Sequence, residues 1–220
     1  MAPTTKVKIC GLRTQAALEA ALAGGANYVG LVFFPPSPRN ITPEAARALA
    51  ARARGRAKIV ALMVDPDDAL IDSILAAVDP DLLQLHGDET PERVREIRRR
   101  WGKPVMKAIK IATAEDANAA FAYTDVVDLI LFDARAPKDS TRPGGHGAAF
   151  DWHLLDGIKG RLPFMLSGGL TPDNVAEAIR ITGAPMVDVS SGVESRPGEK
   201  DPELIRRFLQ AAKAAKQGGR

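Results

Sequence analysis

The sequence is poor in the residues that carry the most conspicuous chemistry. It has one cysteine, Cys10, and three histidines in 220 residues. One cysteine excludes an internal disulfide, and no Cys/His cluster has the spacing of a metal site. A reducing compartment, the cytoplasm, is the natural setting. Aromatic residues make up 5% of the chain, so a core must be built from Ala, Val, Leu and Ile. No apolar run approaches the length of a membrane span, and "MAPTTKVK" lacks the apolar h-region of a secretory signal. The net charge of +3 is too small for a nucleic-acid footprint. The basic stretches "RVREIRRRW" and "AAKAAKQGGR" have no interleaved aromatics and read as solvated helix faces. We therefore expect no membrane or nucleic-acid partner, and a monomer rather than a homodimer.

What is present is one pattern, repeated. The β-type runs "KVKIC", "YVGLVFF", "KIVALMV", "LLQLH", "VMKAIKI", "VVDLILFD", "PFMLSGG" and "MVDVSSG" recur along the chain, most of them rich in Val, Ile and Leu, as strands covered on both faces are. Segments of helical period and high Ala, Glu and Arg content follow them; "DWHLLDGIK", the sixth, is shorter. Thr42-Pro43, Thr90-Pro91, Thr171-Pro172 and Asp201-Pro202 each put an N-cap residue before a proline at the first helical position, where its missing N–H costs nothing. Eight β/α alternations without a composition break predict a single (β/α)8 barrel domain spanning residues 1–220. A doubly wound open sheet is the competing architecture. It would be favoured by a "GxGxxG" turn after the first strand, which is missing.

In a barrel, functional groups belong at the C-terminal ends of strands and in the loops beyond them. Several such ends are polar: Cys10, Gln84 with His86, Asp133, Ser167-Gly168-Gly169, and Asp188 with Ser190, Ser191 and Gly192. Arg39 lies in the proline-stiffened loop "PPSPRN" after the second run. The period of two puts Lys8 with Cys10, Gln84 with His86 and Asp188 with Ser190 on one face, pointing inward. Each has a plainer explanation. Cys10 could be a small buried hydrophobe, Asp133 a cap, His86 a satisfied core histidine, Arg39 a surface arginine. Convergence of unlike groups from separate strands favours a site. The glycine- and serine-bearing loops after the seventh and eighth runs fit a phosphate held by backbone N–H groups: Gly168, Gly169, Ser190, Ser191 and Gly192.

The motifs "KICG", "SPRNIT", "QLHG", "LFD", "GGHGAAFDW", "LSGGLTPDNV" and "DVSSGVESRPGEKD" stand in this order from about Lys6 to about Leu209. In that order the chain resembles the phosphoribosylanthranilate isomerase family. The resemblance implies a (β/α)8 barrel and a cofactor-free Amadori rearrangement of N-(5-phosphoribosyl)anthranilate to 1-(2-carboxyphenylamino)-1-deoxyribulose 5-phosphate, in tryptophan biosynthesis. It implies that Cys10 is the general base, Asp133 the general acid, and Arg39 the residue facing the anthranilate carboxylate. Gln84, His86 and Asp188 are read as further substrate-binding residues. Lys8 could favour a Cys10 thiolate or pair with an inward carboxylate. His146 in "GGHG" and the long preceding loop depart from the usual pattern. Alternatives are a ProFAR-type isomerase, which carries an aspartate where Cys10 stands, and a non-catalytic phosphosugar-binding barrel, which needs no cysteine opposite Asp133.

Overall fold

Each β-type run becomes a strand, and the strands pair in the order in which they occur. The computed structural model describes residues 4–135 and 150–215. Its strands β1 (Lys6–Cys10), β2 (Tyr28–Phe33), β3 (Lys58–Met63), β4 (Leu82–Leu85), β5 (Val105–Ile111), β6 (Leu129–Ala134), β7 (Phe164–Leu166) and β8 (Met186–Val189) form a closed ring. The ring closes where β8 runs parallel to β1, with Lys8 opposite Asp188. This closure makes the fold a (β/α)8 barrel and not an open sheet.

The helices between the strands are α1 (Gln15–Ala23), α2 (Pro43–Ala53), α3 (Asp68–Val78), α4 (Pro91–Trp101), α5 (Ala114–Asn118), α6 (Val175–Thr182) and α7 (Pro202–Ala214). Thr42, Thr90 and Asp201 cap α2, α4 and α7 as the sequence predicts, each with proline in the first turn. Thr171 does not cap α6. That helix begins at Val175, because Asn174 takes over the turn: its Oδ1 accepts from the Thr171 N–H and its Nδ2 donates to the Gly169 carbonyl. The fifth predicted helix tightens into a 3-10 segment at Ala119–Tyr123, and the sixth is only a 3-10 turn, Trp152–Leu155. The arginines of α4 are solvated but not idle: Arg93 and Arg100 pair with Asp68, and Arg98 with Asp128. His146 and most of its loop, and the last five residues of the C-terminal stretch, lie outside the described residues.

Strand periodicity divides the core. Ile9, Leu85, Phe132 and Val189 face outward into the layer shared with the helices. Inside the ring, Tyr28, Val60, Leu82, Met106, Leu131 and Met165 fill the lower barrel. Above them sits a smaller group, Cys10, Val32 and Leu62. Among the described residues, the barrel is therefore plugged below and open at its top.

Candidate active site

The open end holds a cavity lined by Cys10, Arg39, His86, Asp133, Gly168, Gly169, Asp188, Ser190 and Ser191, with Val32, Phe34, Leu62 and Val64 supplying apolar walls. Of the residues singled out in the sequence, Gln84 and Gly192 do not line it. Gln84 is fully buried beneath His86, and its Nε2 lies 3.0 Å from His86 Nδ1. A Cβ on Gly192 would meet the Leu170 carbonyl oxygen at 1.9 Å, so this glycine lets the loops after β7 and β8 touch. Gly168 has φ +86°, and a Cβ there would sit 2.4 Å from the Ala134 nitrogen. Its need for glycine is likewise set by packing against the strand end that carries Asp133.

Cys10 and Asp133 reach the cavity from β1 and β6, three places apart round the ring. Asp133 is nearly buried; its Oδ1 accepts from the Ala134 N–H at 3.0 Å and its Oδ2 lies 3.1 Å from His86 Nε2. Beside Cys10, Lys8 is completely buried, and its Nζ pairs with Asp188 Oδ1 at 3.0 Å. Asp188 Oδ2 accepts from the Ser167 hydroxyl at 3.2 Å. Both sequence expectations for Lys8 are met: it pairs with an inward carboxylate, and its charge favours the Cys10 thiolate. Burial pushes the Cys10 thiol above its ordinary value, and the charge on Asp188 adds to this, while Lys8 and Lys200 oppose it. Burial also works against the Lys8 ammonium, but Asp188 and Cys10 together outweigh it and its proton is held more tightly than usual. The thiol is thus harder to ionise than usual, and the lysine beside it serves both the thiol and a carboxylate.

A profile of the family N-(5'phosphoribosyl)anthranilate (PRA) isomerase matches residues 7–211. The chain belongs to this family. Among curated members, an N-(5'-phosphoribosyl)anthranilate isomerase from Rhodopseudomonas palustris (strain BisA53) is 61% identical over 211 residues, covering 96% of this chain and 97% of its own. A counterpart from Bradyrhizobium sp. (strain ORS 278) is 59% identical over 211 residues, 96% of each chain. The fold matches the crystal structure of phosphoribosyl anthranilate isomerase from Thermotoga maritima with a TM-score of 0.85 and 35% identity, covering 95% of this chain and 98% of that one. A phosphoribosyl anthranilate isomerase in complex with reduced 1-(o-carboxyphenylamino)-1-deoxyribulose 5-phosphate matches with a TM-score of 0.83 and 34% identity, at 95% and 98% coverage.

In this PRA isomerase family member, two buried clusters beside the site escaped the reading of the sequence. The first lies in a hairpin after β8, formed by β9 (Glu194–Arg196) and β10 (Glu199–Lys200). Glu194 grips Arg39 with both oxygens, accepting from Nε and Nη2 at 2.7 Å each. Lys200 donates to Glu194 Oε1 at 2.5 Å and to the Ser190 carbonyl at 2.9 Å. The Ser190 hydroxyl in turn donates to the Cys10 carbonyl at 3.3 Å. Burial works against the Glu194 carboxylate, but Arg39 and Lys200 outweigh it and hold the group below the usual range. Burial lowers Lys200, with Glu194 opposing. The second cluster is Lys107 with Glu89, an ion pair of 2.9 Å with both side chains buried. Glu89 Oε1 accepts from the Gly87 and Asp65 N–H groups, and Lys107 donates to the Gly87 carbonyl. Gly87 follows His86, so this pair fixes the loop from which His86 projects. The signals were the charged letters of "ESRPGEKD" and the Lys within "VMKAIKI", but neither stretch says which distant residue it meets.

Proposed function

We propose that this protein is a phosphoribosylanthranilate isomerase that opens N-(5-phosphoribosyl)anthranilate and rearranges it to 1-(2-carboxyphenylamino)-1-deoxyribulose 5-phosphate, in tryptophan biosynthesis. The observation that carries the reading is that a thiol from β1 and a carboxyl from β6 line one cavity. Asp133 gives a proton to the furanose ring oxygen as the C1′–O bond breaks and the anthranilate nitrogen lone pair forms the Schiff base. Cys10, as thiolate, takes the C2′ proton, and the C–H electron pair becomes the C1′=C2′ bond of an enolamine. The Cys10 thiol then gives a proton to C1′ and the Asp133 carboxylate takes the 2′-hydroxyl proton, which yields the ketone and restores both groups. Atoms and charge balance with one acid and one base, so these two residues suffice for the steps as written.

The remaining lining residues bind. Arg39, its plane fixed by Glu194, faces the anthranilate carboxylate, a pairing suited to a planar guanidinium. The loops bearing Gly168, Gly169, Ser190 and Ser191 take the phosphate, with Gly192 holding the two loops together. His86 and Asp188 stand between the two ends, and Gln84 acts from beneath His86. The partner is a small-molecule substrate, and the protein is read as a monomer of the cytoplasm. The test follows the decay of the fluorescent anthranilate adduct. Wild type should consume it. Cys10→Ala and Asp133→Asn should fold and lose about 10²–10⁴ in rate. Turnover by Cys10→Ala at the wild-type rate would end the proposal.

A further inference from the structure

His86 and Gln84 stand behind the carboxyl proposed as the acid, and none of the proton transfers written above uses them. Gln84 is fully buried and its Oε1 has no hydrogen-bond partner among the described residues. Leaving an amide oxygen so placed costs stability, and an apolar side chain of the same size would avoid that cost. The other end of the amide makes one contact, from Nε2 to His86 Nδ1 at 3.0 Å. With the amide nitrogen placed toward Nδ1, an NH2 that can only donate makes Nδ1 the acceptor and leaves the ring proton to Nε2. That nitrogen lies 3.1 Å from Asp133 Oδ2.

We infer that Gln84 is a positioning residue that holds His86 in the tautomer with Nε2–H facing Asp133, so that the acid's proton goes to the substrate and not to the imidazole. The inference rests on the acid role proposed above for Asp133. With Nε2–H donating to Oδ2 and the Ala134 N–H donating to Oδ1, both oxygens of the carboxyl are held as acceptors. The acid proton is left to a lone pair that neither donor occupies. Once it has moved to the ring oxygen, the same two donors stabilise the carboxylate left behind. In the other tautomer a bare Nε2 would face Asp133 and compete with the substrate for its proton. The Lys107–Glu89 pair completes the arrangement by fixing Gly87, so that the imidazole has one place to stand.

Nitrogen-15 spectra of the histidine rings test this directly, because the chain has only three histidines and His86→Asn identifies the signal. The expected wild-type pattern is a protonated Nε2 and a bare Nδ1. Gln84→Met, which can neither donate nor accept strongly, should mix the tautomers. It should also lower kcat by about 10- to 100-fold, part of what loss of the acid itself would cost, with a smaller change in KM. A wild-type ring with the proton on Nδ1 overturns the inference, as does a folded Gln84→Met with wild-type kcat. If Gln84→Met does not fold, the wild-type spectrum still decides. Asp133→Asn, assayed alongside, fails separately. Wild-type turnover in that variant removes the acid itself, whereas a wrongly placed ring proton with an inactive Asp133→Asn removes only the role of Gln84.

Discussion

Cys10 lies beside a buried ion pair, Lys8 with Asp188, whose two charges act on the thiol in opposite directions. Asp188 holds Lys8 at 3.0 Å and raises the thiol by its own charge. Removing that charge leaves Lys8 and Lys200, both of which favour the thiolate, without the carboxylate that opposes them. Alkylation of the wild-type thiol should therefore rise with pH through a midpoint above the ordinary thiol value of about 8.5. In Asp188→Asn the midpoint should move to lower pH; an unmoved or higher midpoint would show that Asp188 does not govern the thiol. Gly30, on β2 opposite Cys10, makes a second residue-scale prediction. A Cβ there would stand 3.0 Å from the Cys10 sulfur and 3.2 Å from Lys8 Cε. Gly30→Ala should push the sulfur off its line to C2′ and lower kcat by up to about 10²-fold, with KM held. Equal kcat in a folded Gly30→Ala would mean that the sulfur has room to spare.

At the scale of elements, the hairpin β9–β10 ties three parts of the site together. Through Glu194 it fixes Arg39, through Lys200 the Ser190 peptide, and through Ser190 the end of β1. Lys200→Met keeps the length of the side chain and removes its donors. The loss of a charge-assisted bond, roughly 1.5 kcal/mol, should weaken competitive inhibition by inorganic phosphate about tenfold. Unchanged inhibition would reduce the hairpin to a cover. The hairpin also marks where legibility ends. The strands were readable because Val, Ile and Leu recur at a period that needs no partner to be recognised, and α2, α4 and α7 because Thr-Pro and Asp-Pro act within one turn. That Cys10, Arg39, Asp133 and Asp188 share one cavity was readable because strand ends in a barrel converge. Glu194 with Lys200, and Glu89 with Lys107, were not, because a buried ion pair is defined by two residues whose meeting only the fold decides. The cap at Thr171 was misread for a similar reason: Asn174, three residues on, offers both an acceptor and a donor and rearranges the turn.

For the whole molecule, closure is carried by the two ends of the chain. β1 pairs with β8, and Lys213 from α7 donates to the Gly24 carbonyl behind α1 at 2.7 Å. Phe208, on α7, is completely buried in the outer core layer. Phe208→Ala should cost about 3–5 kcal/mol, read as a lower midpoint in urea unfolding. Because α7 braces β1, the loss should be global, with activity and structure disappearing in one transition; activity lost well before structure would show α7 to be a local brace only.

The Lys8–Asp188 pair also has a consequence for synthesis. The two residues are 180 positions apart. At about 5–20 residues per second, the ribosome releases Lys8 roughly 9–36 s before its counter-ion exists. During that interval a barrel closing on β1 would bury an ammonium with no carboxylate to meet it, which disfavours closure. The strand that carries the thiol pairs on one side with β2, its neighbour in the chain, and on the other only with β8, the last strand of the ring to be made.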